Sequence, residues 1–128
     1  MTSPAVLADG LRAHAQGLYC LEAAAELLIT QSWLHRDDFT SRFMEHGTSG
    51  GIPMAAIDWE AAISALQVGE LPCSGGERRI LQLAASLAAG SPVSLRDTVT
   101  GLDAINAARF LIAIRHAAGN AVTAGTCR

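Results

Sequence analysis

Between Ser3 and Gly119 the chain alternates helix starts with helix stops, and this punctuation constrains its fold more than any other feature. Ser3-Pro4 opens a helix, because the hydroxyl can cap it and the proline's missing N–H costs nothing at the first position. Gly17 closes that helix. Further starts stand at Arg36-Asp37-Asp38, Asp58, Ser74, Ser94 and Asp103; further stops stand at Gly47, Gly69, Gly90, Gly101 and Gly119. The clearest start is Ser74-Gly75-Gly76-Glu77, a capping box in which serine and glutamate satisfy each other's orphan amides.

Between these marks apolar residues recur at helical spacing. Leu21, Ala24, Ala25 and Leu28 make one stripe, Phe39 and Phe43 a second, and Trp59, Ala62, Ile63 and Leu66 a third. Ile80, Leu83, Ala84, Leu87 and Ala88 make a fourth. The last helix differs. Ile105, Ala108, Phe110, Leu111, Ile112 and Ile114 cover most of its circumference, leaving Asn106, Arg109, Ala113 and His116 as a narrow polar stripe. A helix apolar almost all round is expected at the centre of a fold.

Alanine reinforces the helical reading: there are 24 alanines against six aromatic residues, and alanine is the best helix former and a poor strand former. The expectation is an all-α protein, a compact bundle of about six helices packed around a central C-terminal helix. One domain spans residues 1–119, and residues 120–128 form a disordered tail. Gly47–Pro53 is expected to be a flexible loop. A substantial sheet, for instance through Ile52–Asp58 and Val93–Leu95, would overturn the class.

Charge and cysteine usage narrow the setting. The net charge is −3, which gives no global attraction to nucleic acid or to anionic membranes. All nine basic residues are arginine, the pattern of a GC-rich genome. Cys20, Cys73 and Cys127 form no close pair and are odd in number, as expected of reduced thiols in the cytoplasm. The N-terminus lacks a basic patch and an apolar core, and no uncharged apolar run approaches the ~20 residues that span a bilayer. A cytoplasmic protein without membrane contact is expected.

Several strings invite a chemical reading. Cys73 to Ala84 resembles the signature motif of ATP-binding-cassette ATPases, in which a Ser-Gly-Gly turn opens a helix towards phosphate. A chain without lysine cannot carry the phosphate loop of those enzymes, and the capping box accounts for the string. His35, Asp38 and His46 are the nearest approach to a metal cluster, but the two histidines lie too far apart for one ion. Cys73 precedes a helix N-terminus, a place that can lower a thiol's pKa, yet nothing places a base beside it. No catalytic residue, cofactor or metal is therefore assigned, and an enzyme is disfavoured.

Two binding readings stand well ahead of an enzyme that uses the His35/Asp38 neighbourhood. In the first, the chain binds a protein partner or itself through Trp33 and Leu34, with the Gly47–Pro53 loop as a mobile rim. In the second, residues 74–118 form a helix-turn-helix-like unit that regulates DNA, and Asn106 and Arg109 read adenine and guanine edges. Residues 71–118 hold five arginines against three acids, a modest excess for a nucleic-acid binder, so this reading is the alternative.

The strings Leu34-His35-Arg36-Asp37-Asp38-Phe39, Ile57-Asp58-Trp59-Glu60-Ala61-Ala62 and Leu71–Arg79 together resemble a group of small helical proteins from high-GC bacteria. The resemblance spans roughly Gly17 to Gly119. It implies a shared domain and brings no activity or functional residue with it.

Overall fold

The computed structural model describes residues 2–119, so the expectation of a disordered tail at 120–128 lies outside the described residues. In chain order the elements are α1 (Pro4–Ala15), α2 (Tyr19–Thr30), a 3-10 turn (Ser32–His35), α3 (Asp37–Phe43), β1 (Met44–Ser49) and β2 (Ile52–Ile57). They continue with α4 (Trp59–Gln67), α5 (Gly75–Ala89), α6 (Leu95–Val99) and α7 (Ala104–Ala117). The fold is predominantly helical. Among the described residues no helix is long and apolar enough to cross a membrane.

The punctuation is realised as local chemistry. Ser3 accepts the Val6 amide, Asp58 that of Ala61, Ser94 that of Asp97 and Asp103 that of Asn106. Both halves of the capping box form: Ser74 Oγ accepts the Glu77 amide at 3.1 Å, and Glu77 Oε1 accepts the Ser74 amide at 2.9 Å. The apolar faces of α4 and α5 point inward, with Trp59, Ala62, Ile63, Leu66, Ile80, Leu83 and Ala84 all buried.

The all-α expectation is corrected by a β-hairpin. The third helix stops at Phe43 rather than Gly47, and the segment read as a flexible loop becomes two paired antiparallel strands. Gly50 and Gly51 form a two-residue connection between the paired residues Ser49 and Ile52, and both adopt positive φ, which the twist of a tight hairpin favours. Pro53 opposes Thr48. Ladder bonds alternate along the pair, so the amide missing at Pro53 is one that would point away from β1.

An isolated hairpin is marginal in water, and this one is held by α1. Ala55 and Ile57 turn inward from β2 beneath Leu7 and Leu11 in one continuous core. Gly10 makes the close approach possible, because a Cβ there would lie 2.9 Å from both Cβ and N of Ala55.

The centre of the fold is α2, not the C-terminal helix. α2 touches α1, the 3-10 turn, α5 and α7, and it buries Ala23, Ala24, Ala25, Leu27 and Leu28. Its run of alanines lets neighbours approach closely from several sides. α7 buries only Asn106, Phe110 and Ala113 and lies at the edge. An apolar circumference says which surface would gain from cover; it does not supply the neighbours.

Trp33 and Leu34 are also corrected. The 3-10 turn drives both into the core, leaving Trp33 0% and Leu34 4% exposed, so neither forms a surface patch. The Trp33 indole N–H donates to the Glu77 carbonyl at 3.0 Å, its ring stands 5.1 Å from that of Phe39, and the Arg36 guanidinium covers it at 4.7 Å.

Candidate functional site

α7 presents its polarity in an unusual sense. The stripe Asn106, Arg109, Ala113 and His116 is directed towards α2, while of the broad apolar set only Phe110 is buried and Ile105, Ala108, Leu111, Ile112 and Ile114 are exposed. Asn106 is buried, accepts from Gln31 Nε2 at 3.1 Å, and donates to Asp103 Oδ2 at 3.3 Å. His116 Nε2 donates to Glu22 Oε1 at 2.8 Å, and Tyr19 meets the imidazole edge-on at 5.7 Å. Around the rest of the helix Ile105, Leu111, Ile112 and Ile114 are 65%, 60%, 58% and 42% exposed, and Ile112 borders the stripe. Four large aliphatic side chains on this one helix stand in water.

Beside that face, between α2 and α7, runs a groove of about 130 Å³. Ala23, Leu27, Ile112 and Ala113 make it apolar; Glu26, Thr30, Arg109 and His116 supply its polar edge. Local structure fixes most of that edge. Thr30 Oγ1 donates back to the Glu26 carbonyl at 2.9 Å. Glu26 takes two hydrogen bonds from the Arg12 guanidinium, at 2.8 and 3.1 Å, which join α2 to α1. Glu22 is held by His116 and by the Gly17 amide at 3.1 Å. The His116 bond is the main reason that the Glu22 carboxyl lies below its ordinary pKa, overcoming the opposing effect of burial. Arg109 alone among these groups makes no hydrogen bond or ion pair with the described residues.

The other sequence candidates are separated from this site. Glu77 serves as a junction: besides its capping role, its Oε2 accepts from Ser32 Oγ at 2.6 Å. That bond, with the Ser74 amide, holds the Glu77 carboxyl below its ordinary value. The string that resembles the signature motif therefore ties α5 to the 3-10 turn. Burial, and then the nearby Glu77 charge, push the Cys73 thiol up, opposite to the lowering that a helix N-terminus can produce. Asp38 is clasped by Arg36 at 2.6 and 3.0 Å, His35 is exposed, and His46 contacts Thr2 at 3.4 Å. Among the described residues no three metal-ligating side chains converge.

Of the two side chains expected to read DNA, Asn106 is thus committed inside the fold and Arg109 lines the groove. The groove itself was not legible in the sequence. Its walls come from residues about ninety positions apart, and Glu22 and Glu26 look like ordinary helix-edge acids. Comparison with protein families, with curated proteins and with solved structures finds no match in any of the three. The likeness to small helical proteins of high-GC bacteria rests on its three strings alone.

Proposed function

We propose that this chain is a non-enzymatic binding module that acts by associating with a protein partner, in the first instance a second copy of itself, through the outer face of α7. The observation that carries the reading is the exposure of Ile105, Leu111, Ile112 and Ile114 on one helix. Complete burial of one such side chain is worth ~1.5–3 kcal/mol, so covering four half-exposed ones contributes roughly 3–7 kcal/mol per copy. Association costs of ~4–15 kcal/mol offset much of that sum. A weak and reversible dimer is the result, with the two α7 helices facing each other across a two-fold axis. The surface lies on α7 rather than on Trp33 and Leu34, and the burial of Asn106 weighs against the DNA-binding alternative.

Sedimentation over micromolar to millimolar protein tests this. The mass should rise with concentration, and Leu111→Glu should hold the protein at the monomer while leaving its circular dichroism unchanged. A wild-type mass that stays monomeric into the millimolar range refutes self-association. Salt-sensitive duplex binding by that monomer would favour the DNA reading instead.

A further inference from the structure

The groove between α2 and α7 differs in chemistry from the outer face beside it. Ala23, Leu27, Ile112 and Ala113 bound a cavity of about 130 Å³. An apolar cavity of ~150 Å³ accepts benzene, so a single ring is the size of body that this one accommodates. Both carboxylates near the groove are engaged, Glu26 by Arg12 and Glu22 by His116 and the Gly17 amide. Arg109 is part-buried against the same apolar wall and has no partner among the described residues. A guanidinium that is partly withdrawn from water gains from an anion, and its planar fork matches the two oxygens of a carboxylate.

We propose that this groove is a binding site for a small apolar monocarboxylate, with its ring against Leu27 and Ala113 and its carboxylate on Arg109. A phosphate fits less well, because the nearby Arg12 guanidinium and His116 imidazole are already taken by Glu26 and Glu22, and one guanidinium would face a dianion. The site does not depend on association through α7, although Ile112 belongs to both surfaces.

The test is an NMR titration of the full chain at fixed protein concentration, with benzoate as the probe and benzamide as its uncharged counterpart. Benzoate should produce saturable shifts at Ala23, Leu27, Ile112 and Ala113, with benzamide binding roughly tenfold more weakly or worse. Arg109→Gln should reduce benzoate to the benzamide level and leave the thermal melt unchanged, since Arg109 holds nothing in the fold. Should that variant misfold, the wild-type comparison of the two probes still decides. Equal affinity for benzoate and benzamide, or no groove shifts at tens of millimolar benzoate, overturns the site. So do groove signals that ignore benzoate and move instead in a separate dilution series of the protein alone, because they make the groove part of the contact between copies. Saturable benzoate binding by a strictly monomeric protein would end the self-association reading and leave this site standing.

Discussion

Gly10→Ala should destabilise the protein, against the usual direction for a glycine inside a helix. Alanine in a helix interior is favoured over glycine by about 1 kcal/mol, and Gly10 lies well within α1. Here the new methyl would stand 2.9 Å from Cβ and N of Ala55 and 3.0 Å from the Met54 carbonyl carbon. Optimal carbon contacts lie at ~3.5–4.0 Å, so the methyl sits roughly half an ångström or more inside that range against three atoms. Two of the three are backbone, so α1 and β2 must separate as whole elements; no side chain can rotate away. Overpacking of this kind typically costs ~1–3 kcal/mol, which outweighs the propensity gain and leaves a net loss of about 1 kcal/mol. Urea unfolding followed by circular dichroism measures it as a lower midpoint at unchanged slope. Ala55→Gly in the same background removes one of the three contacts and should recover part of the loss relative to its own single variant. If Gly10→Ala equals or exceeds the wild type, α1 and β2 do not meet as described.

Ser74→Ala should cost about 1 kcal/mol, since it removes the acceptor for the Glu77 amide; urea midpoints report it. Trp33→Phe keeps most of the ring and loses the bond to the Glu77 carbonyl, for about 1 kcal/mol, whereas Trp33→Ala should cost ~3–5 kcal/mol and change the melt, not the oligomeric mass. Glu22 has a folded-state pKa below its ordinary 4.5, so its contribution is complete above that value and is lost as pH falls through the lower folded value. Glu22→Gln should accordingly flatten the acid limb of a stability–pH curve below about pH 5 while changing its direction nowhere else; an unchanged acid limb would show that the His116–Glu22 contact contributes nothing.

What could be read from the sequence was local. Caps at Ser3, Asp58, Ser74, Ser94 and Asp103 are short-range chemistry, and each forms as expected. The inward faces of α4 and α5 follow from spacing alone. The hairpin was missed because β1 is exposed at every position but Met44, so it carries no apolar alternation to reveal a strand. The available signal was the Gly50-Gly51 pair, a two-residue hairpin connection set beside the apolar β2. α7 was misplaced because periodicity records the character of a surface and not whether other elements cover it. Trp33 was misread for a related reason: between two helices, nothing local says whether a turn points in or out. The groove depends on pairing α2 with α7, a long-range fact absent from any window of the sequence.

The central position of α2 bears on the order in which the chain can fold as it is made. At ~5–20 residues per second, the interval between synthesis of Leu28 and of Ile80, which joins the same core from α5, is roughly 3–10 s. Phe110 and Ala113 of α7 follow later still. Through that interval the newly made chain carries the alanine- and leucine-rich surface of α2 without α5 and α7, its two most extensive neighbours, to shield it. A ribosome-bound fragment ending near Gly69 should therefore bind a hydrophobic-surface chaperone or an apolar dye, and extension through α5 should release it.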